Sequence, residues 1–462
     1  CEAAWRLRSI RGPAKGLKLS AAWTGWHAAG EWLCPLPAIP GPGTSEGGRR
    51  GSGVAWYPGA PIGGSDPWRQ STQRRAGTVS SACSAGGARP ARRDSLLSHS
   101  LSGIRVLDLS TSASGAWCTR LLADLGADVT FLEGPEGHPL RHEPPFDDAG
   151  ESVVAAYFLA NKRSALFDEA HPAGRALPGE LARRADVVVS SFGAHELAER
   201  GLGYDGPGNP RLVWAHVTPY GLRGERAGIP GNELTVAALS GWAALNGNAD
   251  MPPLRPVGHQ VGLCSGVLAA AAIIGALIAR DRDGRGQEID IAELDVMTSA
   301  GSPGILRGQY TGRPAPRREG VDLASGPVPV ADGYFALTLS RAHFWRDAMN
   351  VLGLEDLAED PRWETSWYRA AHRDEYEDRV ARAMSRFTRK DLFDELAARR
   401  VVAGPVLRMA ELRDNAHLAE RGFWAEVDGK PYPGAPFRMS ATPWELRGSA
   451  PPGPARGSGG SR

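Results

Sequence analysis

A chain of 462 residues, 42% of them apolar, is long enough to bury the cores of two or three domains. The formal charge of +1 conceals a split: residues 1–100 carry 13 Lys/Arg against 5 Asp/Glu, and the remainder carries 40 against 47. A mildly acidic body argues against nucleic acid as the main partner. The body cysteines, Cys118 and Cys264, stand at no metal-ligand spacing, so neither a metal nor a disulfide framework is expected and a reducing, cytoplasmic setting is.

Residues 1–100 lack helical or strand periodicity. Gly, Pro, Ser, Arg and six Trp are scattered through them, and the first methionine of the sequence is Met251. The segment reads as disordered, or as sequence upstream of a native start. An Arg-rich transit peptide is the other reading, but amphipathic spacing is missing. No apolar core of a secretory signal is present near its start.

Organised sequence begins at Gly103. Ile104 to Leu109 has the length and composition of a strand, Ser114-Gly115 opens a helix, and Leu121, Leu122 and Leu125 keep helical spacing up to Gly126. Val129 to Leu132 is a second strand, completing a parallel crossover unit. Ligands of such sheets lie beyond the carboxyl ends of the strands, here at Ser110 to Gly115 and at Glu133-Gly134.

The alternation continues. Strands are predicted at Ser164–Phe167, Asp186–Ser190, Leu212–Val217 and Glu288–Ile291, and helices at Gly174–Arg184, His195–Arg200, Asn232–Trp242 and Gly262–Arg280. The run Gly262 to Ala279 is uncharged and Ala-rich, and reads as a buried helix and not as a membrane span. After Met297, a Gly-, Pro- and Arg-rich stretch at 301–325 reads as a linker. A second unit follows at 326–405, with strands at Val328–Val330 and Gly333–Leu339 and helices at His343–Leu352, Arg373–Arg386 and Arg389–Ala398. The chain then returns to the first unit over 406–446 and ends in a tail, 447–462, expected to be disordered.

Gly201-Leu-Gly-Tyr-Asp-Gly206 matches a dinucleotide fingerprint, but a helix precedes it and Pro207 follows, the reverse of the required context, so it reads as a loop. Asn161-Lys-Arg-Ser164 sets two cations and two hydrogen-bonding side chains ahead of a strand. They suit either phosphates or a solvated strand entry.

In order, G-I-R-V-L-D-L, L-L-A-D-L-G-A-D-V, Y-F-L-A-N-K-R-S, A-D-V-V-V-S-S-F, N-P-R-L-V-W-A-H-V-T, L-S-G-W, G-R-G-Q-E-I-D-I-A-E-L-D and P-F-R-M-S-A-T-P make the chain from about 103 to 443 resemble the family III CoA-transferases. That group includes formyl-CoA:oxalate and carnitine CoA-transferases and α-methylacyl-CoA racemases. The resemblance implies an α/β fold: a Rossmann-like parallel-sheet large domain (101–300 and 406–446) with an inserted smaller α+β domain, after the disordered N-terminal segment. It implies interlocked pairs of chains and CoA as a substrate, lying across Ala113-Ser114, Asn161-Lys162-Arg163-Ser164, Ser191-Phe192-Gly193 and Thr218-Pro219-Tyr220. It also implies covalent chemistry, in which an aspartate takes the acyl group from acyl-CoA, becomes an aspartyl thioester, and hands CoA to a second carboxylic acid.

The nucleophile's place in that pattern is occupied by Gly262, within Gln260-Val-Gly-Leu-Cys-Ser-Gly266. Asn232 stands where the racemases have histidine, so racemization is not expected. Gly134 and Glu199 stand where arginines belong, with Arg200 adjacent to the second. His259, Cys264 and Asp250 are the neighbours in sequence that might substitute; a thiol in a helix's first turn has its pKa lowered by the dipole, although a buried small filler is the plainer reading of Cys264. Two functions follow: an acyl-CoA:carboxylate CoA-transferase with a rearranged or partner-supplied nucleophile, or a catalytically silent CoA-binding subunit. The first acts as a homodimer and the second pairs with a homologous aspartate-bearing chain; neither involves a membrane.

Overall fold

Arg105–Leu109, four of whose five residues are buried, forms β1, and its continuation through Ser112 starts α1 (Ala113–Asp124). The Ser112 side chain caps that helix by accepting the Gly115 amide at 3.3 Å. In the computed structural model, which describes residues 99–454 except 206, 207, 314–316, 318–325 and 340, the chain continues through β2 (Asp128–Glu133), α2 (Val153–Phe158), β3 (Arg163–Leu166), α3 (Pro172–Arg184), β4 (Val187–Ser190), α4 (Ala194–Glu199) and β5 (Val213–Thr218). Next come α5 (Glu233–Leu239), α6 (Trp242–Leu245), α7 (Gln260–Asp283), β6 (Gln287–Ala292), α8 (Glu293–Ala300) and α9 (Ser302–Thr311). The expectations for 1–98 and 455–462 lie outside the described residues, as does much of the stretch read as a linker.

The six strands form one parallel sheet in the order β3-β2-β1-β4-β5-β6. This is the doubly wound order, with its switch point between β1 and β4. The valines of β4 are wholly buried because both faces of the sheet are covered. One core joins β1, β4 and β5 to α1 and α7 through Val106, Leu122, Val187, Val213, Ala269 and Ile273. The other face packs Leu107, Val188 and Trp214 against Leu181 and Leu197.

Helix α7 is long and apolar enough to cross a membrane by length and composition alone. Its inner face (Val261, Ser265, Ala269, Ile273, Ala276) is buried in the body, while Val267, Leu268 and Ile278 are about half exposed. It ends at Gly284, whose φ of 73° supplies the left-handed C-terminal cap. Two sequence expectations differ from the structure. The helix read as Asn232–Trp242 is two helices, α5 and α6, broken at Gly241 (φ 83°). The stretch read as linker contains α9, which carries Pro in its first turn, where a missing amide costs nothing.

A separate core is built from residues 328–401. Here β7 (Val328–Val330), β8 (Gly333–Leu337) and β9 (Ala403–Pro405) form an antiparallel sheet in the order β7-β8-β9. Between β8 and β9 lie α10 (Ala342–Val351), α11 (Glu355–Glu359), α12 (Ser366–Ala371), α13 (Arg373–Met384) and α14 (Arg389–Ala398). Trp345, Trp363, Tyr376, Met384 and Leu392 fill the space between them. After α15 (Ala416–Glu420), β10 (Trp424–Val427) and β11 (Lys430–Pro433) make a hairpin.

The chain then runs back over the first unit. Glu445 N donates to Asp124 O at 2.9 Å, Arg447 Nη2 to Ala123 O at 2.8 Å, and Arg141 Nη2 to Pro451 O at 3.0 Å. The tail expected to be disordered from 447 is therefore held against the body as far as these bonds reach.

The end of β1 is fixed by Asp108. Its carboxylate accepts Ser110 N (2.9 Å), Ser110 Oγ (2.6 Å), Thr119 Oγ1 (2.5 Å) and Lys162 Nζ (3.1 Å). Lys162 Nζ also donates to Ala116 O at 2.7 Å, and neither charged side chain is open to solvent. Removing one partner of such a pair leaves an uncompensated buried charge. Lys162→Ala is expected to cost about 3–5 kcal/mol in urea unfolding, and the Asp108→Asn/Lys162→Met double variant is expected to recover much of that loss.

Candidate active site at the carboxyl edge of the sheet

The loops that leave β1 and β4 diverge at the switch point and are tied together there. Ser191 Oγ accepts Thr111 N at 2.8 Å and lies 3.0 Å from Thr111 Oγ1. Beside this tie a cavity of about 450 Å³ opens, lined by Thr111, Glu133, Gly134, His138, Phe167, Arg175, Phe192, Glu199 and Arg200. The Arg200 guanidinium lies 4.3 Å from the centre of the Phe192 ring and is paired with Glu169 and Glu196. Arg200, one residue from the expected position, thus reaches the cavity. Gly134 leaves open space there, with nothing within 4 Å of where its Cβ would stand.

The floor of the cavity is closely hydrogen-bonded. Glu133 accepts two bonds from Arg141 (2.7 and 3.0 Å), one from His138 N (2.9 Å) and one from Ser164 Oγ. Burial works to raise its carboxyl pKa, but Arg141 and Ser164 hold it below the ordinary value. His138 Nε2 is 3.0 Å from Ser110 O, and its Nδ1 accepts Leu140 N at 3.2 Å, which fixes the Nε2–H tautomer. Burial lowers its pKa to about 4, so the ring is neutral.

The polar groups of the Asn161–Ser164 tetrad are taken up by partners within the chain. Lys162 is spent on Asp108, and burial pulls its ammonium pKa down. Arg163 donates to Asp128, and Ser164 to Glu133. Asn161, at φ 65°, accepts Gly448 N at 3.1 Å and donates to Glu445 O at 2.7 Å. None of the four lines the cavity. The expected phosphate contact from Lys162 is corrected: its ammonium is an internal ion-pair partner, and Arg175 and Arg200 are the cavity's cations.

The remaining expected residues gather at the same edge of the sheet. Thr218 Oγ1 accepts Gly221 N at 2.9 Å, Pro219 O accepts Leu294 N at 3.0 Å, and Tyr220 Oη donates to Thr235 Oγ1 at 3.1 Å. Gly193 caps α4. Ala113 and Ser114 begin α1 and touch Gly262 in the first turn of α7. A Cβ at 262 would stand 3.1 Å from Ala113 Cβ and 3.3 Å from Ser114 N, and one at 266 would stand 2.7 Å from Ser114 O. Two helix N-termini therefore converge on Gly262 at backbone contact, and glycine permits that approach.

Two carboxylates that sequence reasoning missed meet there. Glu233, the first residue of α5, accepts Val261 N at 2.6 Å through Oε1 and Gly262 N at 3.2 Å through Oε2. Glu293, the first residue of α8, is 6% exposed and accepts a short bond from Ser114 Oγ. Burial raises the Glu293 pKa to about 7, opposed by Ser114 and assisted by Glu233. Their sequence signals were slight: an acidic residue in the first turn of a helix, which usually means a favourable dipole.

The proposed substitutes fare less well. Burial and Glu233 push the Cys264 thiol up, opposite to the dipole effect expected from sequence, and Cys264 packs against Val236, Val261 and Met297. His259 Nε2 is held 3.2 Å from Glu143. Asp250 lies exposed in a turn. Ser190, His216 and Glu288 line up as a relay (3.0 and 3.1 Å), but Ser190 is wholly buried and its Oγ accepts Trp214 Nε1, so no substrate reaches it.

Comparison with known proteins gives one answer. Residues 101–456 match the model of CoA-transferase family III. The chain is 33% identical to a succinate–glutarate CoA-transferase of Agrobacterium fabrum, over 76% of this chain and 92% of that one. It is 31% identical to succinyl-CoA:(R)-benzylsuccinate CoA-transferase subunit BbsE of Thauera aromatica, over 77% and 92%. A CAIB/BAIF family protein from Brucella suis superposes with a TM-score of 0.71 at 28% identity, covering 77% of this chain and 96% of that structure.

Glu293 makes stability fall with pH. Its folded pKa lies above the ordinary carboxyl value of 4.5, so the folded state holds its proton longer. Stabilisation from the protonated form is complete below about 4.5 and is lost as pH rises to about 7. Melting curves across this window are expected to show that decline in the wild type, and Glu293→Gln is expected to flatten it and to melt higher at pH 8.

Proposed function

The chain belongs to CoA-transferase family III, and we propose that it transfers CoA from an acyl-CoA thioester to a free carboxylic acid at the carboxyl edge of its parallel sheet. The observation that carries this reading is the cavity beside the Thr111–Ser191 tie, with Arg200 stacked on Phe192 and Arg175 on its wall. We assign the nucleotide end of CoA to that cavity. The pantetheine arm follows Ser191-Phe192-Gly193 and Ala113-Ser114 toward Gly262, with Thr218-Pro219-Tyr220 along the same edge. Arg175 and Arg200 take the phosphate-binding part that sequence gave to Lys162 and Arg163. Dicarboxylic acids are the first acids to try, since succinate and glutarate name one relative.

A second reading is kept for one observation. Position 262 has no side chain, and a Cβ there would stand 3.1 Å from Ala113 Cβ, so the neighbour would have to give slightly. A CoA-binding subunit paired with a homologous aspartate-bearing chain fits that fact, and one relative is named as a subunit. Either reading calls for a paired chain. The half-exposed apolar residues of α7 (Val267, Leu268, Ile278) and of α9 (Ile305, Leu306) support such a contact. A cytoplasmic location accords with the free thiols of Cys118 and Cys264.

Calorimetry with CoA tests the site. Arg200→Ala and Arg175→Ala are each expected to weaken binding by about ten- to a hundredfold, the worth of a hydrogen bond to a charged group. Gly134→Arg, which extends into open space, is expected to tighten it. Unchanged affinity in all three moves the CoA site elsewhere.

A further inference from the structure

The family chemistry needs a carboxylate that attacks the thioester, and residue 262 cannot supply it. The structure puts another carboxylate beside that position. Glu233 Oε1 and Oε2 each accept one amide from the first turn of α7, at 2.6 Å from Val261 N and 3.2 Å from Gly262 N. The Glu233 backbone is itself pinned. Asn232 Oδ1 accepts Leu234 N and Thr235 N, both at 3.1 Å, and Thr235 Oγ1 accepts Asn232 N at 2.9 Å, closing a capping box around the start of α5. The side chain is partly exposed, so an acyl group can approach it. We propose that Glu233 is the nucleophile of this chain, carrying the acyl group and then CoA in place of the carboxylate that Gly262 lacks.

The proposal rests on the CoA-transfer reading and goes beyond it by giving the chain its own catalytic group. The competing groups are less suited to attack a thioester. Cys264 has its thiol protonated more firmly by burial and by Glu233 itself. His259 is engaged by Glu143, and Glu293 is buried on Ser114. Among the described residues, Glu233 is the partly exposed carboxylate that bonds the first-turn amides of α7, where α1 converges with it. Its two oxygens face the first-turn amides of a 24-residue helix, so whichever oxygen stays the carbonyl keeps one amide donor toward the charge that develops when that carbonyl is attacked.

The steps balance without a redox partner or a net proton. A Glu233 oxygen adds to the thioester carbonyl, the C–S bond breaks, and CoA leaves as thiolate, giving a mixed glutamyl–acyl anhydride. The thiolate adds to the glutamyl carbonyl, and the first acid departs as carboxylate, leaving a γ-glutamyl CoA thioester. The acceptor carboxylate attacks that thioester and re-forms an anhydride with release of thiolate. The thiolate attacks the new acyl carbonyl, giving the second acyl-CoA and free Glu233 carboxylate.

The test uses the purified full chain with succinyl-CoA, alone and with glutarate, quenched in hydroxylamine and mapped by peptide mass. A hydroxamate on Glu233 is expected, together with glutaryl-CoA formation. Glu233→Gln, which keeps an acceptor for the α7 amides, is expected to retain CoA affinity while losing turnover by more than about a thousandfold. Glu233→Asp shortens the reach and is expected to keep a weak adduct at the same peptide. Turnover with no adduct on Glu233, or wild-type turnover in Glu233→Gln, makes Glu233 a helix cap only and leaves the CoA-transfer reading intact. CoA binding with neither adduct nor turnover overturns the proposal in favour of the silent subunit. Failure to bind CoA at all overturns the functional reading beneath it.

Discussion

The buried pair of Asp108 and Lys162 decides the shape of everything at the carboxyl edge of the sheet. Asp108 stands in the central strand, one residue before its end, and its two oxygens take bonds from the turn that follows, from α1 and from the entry to β3. Lys162 completes the tie by bonding the first turn of α1. With both charges desolvated, no member can move alone without stranding the other, so Ser110, Ser112 and the α1 N-terminus are held in one position. The Thr111–Ser191 contact at the switch point and the seat of Ser114 against Gly262 both depend on that placement.

From this anchored loop the electrostatics of the edge follow. Two helix N-termini converge on Gly262, and each brings first-turn amides that find no acceptor within their own helix. The chain answers with carboxylates from two different elements, Glu233 on the α7 amides and Glu293 on the Ser114 hydroxyl. They differ in environment: Glu233 is partly exposed, whereas Glu293 is closed in and has its pKa raised, by burial first and by the neighbouring Glu233 second.

Much of the fold could be read in advance because its signals are local. The unbroken valines of β4, the leucine spacing of α1 and the Gly284 stop of α7 each report their own conformation. The errors have equally particular causes. Lys162 and Arg163 stand ahead of a strand, as phosphate ligands would, and nothing nearby in sequence tells that Asp108, 54 residues earlier, is already waiting in the core. The 301–325 stretch is rich in residues of loops, yet its proline falls where a helix tolerates one. The β10–β11 hairpin carries a local signal of its own. Asp428-Gly429, with φ of 53° and 72°, is the dipeptide that a tight two-residue turn demands. Glu233 and Glu293 look like ordinary first-turn acids, and only the approach of distant helices gives them a site.

The return of the chain over its first unit bears on how the protein is made. The Asn161 side chain accepts the amides of Arg447 and Gly448, 286 and 287 residues later in the sequence. Arg447 reaches the α1 carbonyl of Ala123 across 324 residues. During synthesis these groups emerge from the ribosome long before their partners, on the order of tens of seconds earlier. The nascent large unit therefore waits with that edge unsealed and its polar groups hydrated while the intervening residues, with their own separate core, emerge and fold. Residues 447 and 448 thus seal an edge built from residues translated long before them.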